Sequence, residues 1–162
     1  MRDLPHPLDM DDATFWELIE RLDWTREGDD DQVVGPLVRT LSDMPDRDIA
    51  GFADQLARRL HALDGRAWAR ESGSTIWWGE PDNLSVDGFL YARLAVVANG
   101  REFYETVLAD PAAMPKDIEF EALLYVASSA YERKTGLDDD GSLDSPISFE
   151  TFSNAAGWPA PA

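Results

Sequence analysis

The sequence predicts an all-α fold: a single domain packed as an irregular bundle of about six or seven helices, with an extended C-terminal tail. Three observations carry that expectation. Apolar residues recur at i, i+3, i+4 and i+7 along most of the chain. Acidic and Gly/Pro punctuation falls where helices begin and end. Strict alternation of apolar and polar residues is confined to the tail, at Ile147-Ser148-Phe149-Glu150-Thr151-Phe152.

The elements follow in order. Phe15, Leu18, Ile19 and Leu22 share one face of a first helix that begins near Asp11 or Asp12, whose carboxylates suit its free N–H groups. Asp29-Asp30-Asp31 opens a second helix carrying Val33, Val34, Leu37, Val38 and Leu41, with Gly35-Pro36 disturbing its first turn. Ser42-Asp43-Met44-Pro45 reads as the start of a third, in which Ile49, Phe52, Ala53, Leu56, Leu60 and Leu63 keep helical spacing. Asp64-Gly65 ends or kinks it, and Trp68 continues its apolar side. Residues 71–83 are an irregular middle around Ile76-Trp77-Trp78.

A buried helix is expected from Ser85 to Asn99, with Gly100 just past its end, then a short helix from Arg101 to Leu108 stopped by Asp110-Pro111. A long helix is expected from Ile118 to Lys134, closed by Gly136, with Phe120, Leu123, Leu124, Ala127 and Tyr131 inward. These boundaries give a flexible N-terminus over 1–8, a helical domain over 9–136, and an acidic turn with a tail over 137–162. The alternating stretch is expected to dock as an extended edge, and the chain from Gly157 onward to fray.

Charge and composition narrow the function. The chain holds 32 Asp and Glu against 14 Lys and Arg, a net charge of -18, which repels nucleic-acid phosphates and anionic membranes. It permits a basic protein partner or a cation. No Cys and two His leave no zinc set, and no cofactor is expected. The longest apolar run, residues 94–98, is far too short to cross a bilayer, and the N-terminus lacks the pattern of a secretory signal. A cytoplasmic address is expected, and twelve Arg against two Lys suggest a bacterial source rich in G and C.

Three clusters are candidates for chemistry. Aligning Gly141 on the invariant Gly of a calcium loop puts Asp138, Asp140 and Asp144 on ligand positions. The first and last ligands would then be Gly136 and Ile147, so the loop is incomplete and no metal is expected. Arg93 stands in the apolar stretch 89–97 with Phe89 and Val97 at i−4 and i+4, so a structural ion pair with a carboxylate from another element is expected, with a bound anion in a pocket as the alternative. Trp77, Trp78, Asp87, Tyr91, Arg101 and Tyr104 complete the candidate ligand- or partner-binding set around it. No nucleophile elbow, phosphate loop or placed His accompanies them, and His61 reads as a helix-surface residue.

The order of several short motifs resembles the uncharacterised bacterial family catalogued as domain of unknown function 4240. They are Phe15-Trp16-Glu17-Leu18-Ile19-Glu20, then Asp87-Gly88-Phe89 with Tyr91 and Arg93, then Gly100-Arg101-Glu102 with Tyr104-Glu105. Leu108-Ala109-Asp110-Pro111, Glu121 and Tyr131 follow. Val86 stands where an acidic pair is usual, and Ala95 where a Trp is expected. The resemblance covers about residues 9–136 and implies a helical domain with no established activity. The function expected is a non-enzymatic partner-binding or regulatory protein, immunity- or antitoxin-like. The alternative is a small-molecule-binding or hydrolytic domain with a pocket around Arg93.

Overall fold

The computed structural model describes residues 10–73 and 84–159; Trp77 and Trp78 lie outside them. Among the described residues the fold is all-α, with seven α-helices, four short 3-10 turns and no strand. The chain divides into two compact units, one of residues 1–57 and 122–147, the other of residues 58–121 and 148–162.

In the first unit, α1 (Asp12–Ile19) is capped by the Asp11 carboxylate, which accepts the Thr14 N–H at 2.7 Å. Its buried face includes Phe15, Trp16, Leu18 and Ile19, and Phe15 lies 5.2 Å from the Phe52 ring. α2 (Asp30–Ser42) is capped by Asp29 and packs against α1 and α7 (Val126–Thr135). It runs unbroken through Gly35-Pro36, which fall in its second turn rather than its first, and Pro36 leaves the Gln32 carbonyl without its helical donor. Asp43 closes α2 rather than opening the next helix, and α3 (Asp46–Ala62) starts behind Pro45, whose carbonyl accepts the Asp48 and Ile49 N–H groups. Lys134 joins this start, 2.7 Å from Asp46 and 2.8 Å from the Met44 carbonyl.

The long helix expected over 118–134 is shorter. Asp117 has φ 59°, a left-handed conformation that no helix contains, and the Asp117 and Phe120 N–H groups donate to the Ser72 and Tyr91 carbonyls. A 3-10 turn then spans Glu121–Tyr125, and α7 begins only at Val126. Its end is as the sequence indicates, with Gly136 left-handed at φ 72°.

The second unit is built on α5 (Val86–Ala98), where every residue from Gly88 to Ala98 except Tyr91 is buried. Ser85 caps it by accepting the Gly88 N–H at 3.1 Å. α6 (Arg101–Ala109) packs on α5, while α4 (Arg66–Glu71) and α6 both meet the 3-10 turn Pro111–Ala113. The Trp68 indole donates to the Val107 carbonyl at 2.8 Å. Residues 148–158 complete this unit through turns, not as an alternating edge, because their polar groups go to the side chains of His61 on α3, Arg93 on α5 and Asp64 rather than to a neighbouring strand.

Candidate functional site

Arg93 is fully buried, and its charge is the centre of the second unit. The helix around it offers no acceptor, since all backbone carbonyls of a helix interior are engaged. Its partners therefore come from elsewhere. One Nη1 donates to the Leu60 carbonyl at 2.8 Å and to the Phe149 carbonyl at 3.0 Å, and Nη2 donates to Thr151 Oγ1 at 3.0 Å. Thr151 passes the bond on, donating to the Val86 carbonyl at 2.9 Å. The guanidinium also lies 4.7 Å from the centre of the Phe89 ring. Nε is buried with no hydrogen-bond partner. Burial pushes the Arg93 pKa down to about 10, against the pull of Asp64 and Glu150, so the charge persists at neutral pH.

The ion pair expected of Arg93 is thus replaced by carbonyls and a hydroxyl, with the carboxylates acting at longer range. Asp64, equally buried, is spent on the same C-terminal segment. Its Oδ1 accepts the Phe152 N–H at 3.2 Å and the Trp158 indole N–H at 2.8 Å, and its Oδ2 accepts the Asn154 N–H at 2.9 Å. Asn154 Nδ2 donates to the His61 carbonyl at 2.9 Å. The His61 ring meets the Ser148 carbonyl at 3.0 Å, so its Nδ1 carries the proton. His61 is therefore a tail anchor. Trp158 packs edge-on against Phe89 and Phe152, with centroids 6.1 and 4.6 Å away. A Cβ on Gly157 would sit 2.1 Å from the Asp64 carbonyl oxygen, so only glycine lets the two backbones approach. Where the sequence leads one to expect a frayed end, residues 157 and 158 are placed against Asp64 and Phe89.

Among the described residues, the other candidates do not gather on the guanidinium. Asp87 is exposed in the first turn of α5, and Tyr91, half-buried one turn on, gives its carbonyl to Phe120. Arg101 is exposed and pairs with Glu105 at 3.0 Å. Tyr104 is buried and donates to the Arg59 carbonyl at 3.2 Å; burial pushes its pKa up to about 12. The groups that do serve the two buried charges, Thr151 on Arg93 and Asn154 and Trp158 on Asp64, carry no signal in the sequence that points to them.

The acidic turn uses its carboxylates on itself. Asp139 Oδ1 accepts the Gly141 N–H at 2.9 Å and Asp140 Oδ1 the Ser142 N–H at 3.0 Å, which holds the Asp140 pKa below its ordinary value. Among the described residues no group of three or more His, Asp or Glu is placed to hold a metal. Asp140 also borders a cleft of about 420 Å³ in the first unit, with Asp46, Arg47, Tyr131 and Leu143.

The charge is unevenly shared. The first unit has 20 Asp and Glu against 7 Lys and Arg, a net of -13; the second has 12 against 7, a net of -5. Within the first, residues 11–31 hold nine acidic residues and two Arg, and eight of the nine are exposed. Trp24, 41% exposed, stands among them.

Residues 10–133 match the family described as Protein of unknown function (DUF4240). The chain belongs to that family. The family segment contains Asp64 and Arg93 but stops short of residues 148–158, which bind both. No curated protein and no solved structure matches the chain. Among the described residues no helix is long and apolar enough to cross a membrane.

Proposed function

We infer that this chain is a non-enzymatic partner-binding or regulatory protein of the bacterial cytoplasm, immunity- or antitoxin-like, whose partner is a basic protein. The supporting observation is the concentration of negative charge on the first unit, with eight exposed carboxylates between residues 11 and 31. Such a field attracts a cationic surface and speeds its encounter, and an exposed Trp among the charges offers the apolar anchor that interfaces favour. The alternative, a small-molecule or hydrolytic pocket around Arg93, has less support. Both Nη groups are already bound by the protein, and Asp87, Arg101 and Tyr104 form no hydrogen bond or ion pair with them.

The test is affinity capture on the immobilised full chain from a bacterial lysate at about 0.15 M salt, followed by titration of the purified captured protein. A basic protein whose affinity falls steeply with salt, and falls again when Glu27→Gln, Asp30→Asn and Asp31→Asn are combined, is the expected result. A captured partner that is neutral or acidic, or one indifferent to those changes, refutes it.

A further inference from the structure

The way residues 148–158 are held has a second meaning. Half of the hydrogen bonds that hold them are to backbone: Arg93 takes the Phe149 carbonyl, Asp64 takes the Phe152 and Asn154 amides, and His61 takes the Ser148 carbonyl. Only Thr151, Asn154, Gly157 and Trp158 are read by what is particular to them. Recognition of this type, main chain for grip and a few side chains for selection, is how proteins bind extended peptides.

The segment is also poorly buried. Thr151 is its one buried residue, and its only regular structure is the 3-10 turn Ala155–Gly157. Phe152 is held at φ 78°, a left-handed conformation that strains a bulky residue, with half its surface exposed. Low burial and a strained backbone place a segment at the low end of local stability. What it covers is the opposite: a fully buried guanidinium, one of whose N–H groups has no hydrogen-bond partner, beside a fully buried carboxylate. Those groups stay in the family segment whether or not the filler is in place.

We propose that the surface around Arg93 and Asp64 is a peptide-binding groove, occupied in the free protein by the chain's own residues 148–158 and open to the same kind of segment supplied by another molecule. The ligand is an extended polypeptide with a small hydroxyl residue for Arg93 and, six and seven residues later, the Gly-Trp pair that meets Asp64. The groove lies wholly within the second unit and is independent of the acidic surface of the first.

The probe is a labelled peptide of residues 147–159, titrated by fluorescence anisotropy against the full chain. The wild type binds it weakly, because the resident segment competes. Gly157→Ala in the protein weakens that competitor and raises the apparent affinity at least tenfold. A peptide with the Trp158→Ala change fails to bind either. Hydrogen exchange on the unmodified protein gives a measurement that needs no variant: the Phe152 and Asn154 amides exchange together, at least a hundredfold faster than those of α5. No saturable binding by either protein up to millimolar peptide overturns the proposal. So does binding of a scrambled peptide with equal affinity, or exchange of 152 and 154 no faster than α5.

Discussion

Replacing Arg93 with Met separates a structural guanidinium from one kept for a ligand. The side chain makes three hydrogen bonds from a charged donor, to the Leu60 and Phe149 carbonyls and to Thr151. Each is worth about 1.5–3 kcal/mol, and its loss leaves a part-buried or buried acceptor without that donor. Met fills most of the volume and regains about 1.5–3 kcal/mol of apolar burial. It also removes the penalty of holding a cation out of water. Against that, Asp64 stays fully buried with its three donors and without the Arg93 charge. The net loss is about 3–5 kcal/mol, the range found when one member of a buried charge set is deleted. Urea unfolding measures it: at a slope near 2 kcal/mol per molar, the midpoint falls by about 2 M with the slope unchanged. Arg93→Lys keeps the charge but not the fork of donors, and falls between. A midpoint unchanged or raised in Arg93→Met refutes the structural account.

Duplex DNA gives no gel shift at physiological salt, because a net charge of -18 meets the phosphates with the wrong sign; micromolar binding refutes this. Calorimetric titration with calcium or magnesium shows nothing tighter than millimolar, since Asp139 and Asp140 are engaged by the Gly141 and Ser142 amides; a micromolar site reassigns Asp138, Asp140 and Asp144. Alkaline titration at 295 nm contains a phenolate step near pH 12 that Tyr104→Phe removes. Because the folded pKa lies above the unfolded one, Tyr104's contribution to stability is whole below about pH 10 and is lost as pH rises towards 12.

Local signals in the sequence translate well into structure, and distant ones do not. Asp11, Asp29 and Ser85 cap helices because their oxygens reach amides three residues on. Gly100 and Gly136 follow helix ends with positive φ. The apolar faces of α1, α2 and α3 are buried largely as their spacing implies. The failures mark places where a remote partner overrides local preference. Residues 118–120 have helical spacing, yet the amides of Asp117 and Phe120 are taken by Ser72 and Tyr91. The tail has strand alternation, yet Arg93 and Asp64 bend it into turns. Arg93 shows the boundary most clearly. Its need for a partner was legible in the apolar stretch around it, whereas the partners stand 33, 56 and 58 residues away. No periodicity encodes such distances.

Those separations bear on the order of synthesis. Arg93 emerges 56 residues before Phe149, and Asp64 emerges 94 before Trp158. At about 5–20 residues per second, the chain waits roughly 3–20 s between making its two buried charges and making the groups that satisfy them. During that interval Arg93 lacks two of its three hydrogen-bond partners and Asp64 lacks the Phe152, Asn154 and Trp158 donors, so the final packing of the second unit waits. A nascent chain stalled or truncated before residue 148 holds an exposed guanidinium and an incompletely covered Phe89, a state that chaperones and proteases recognise. Completion of this core therefore waits for the synthesis of residues 148–158.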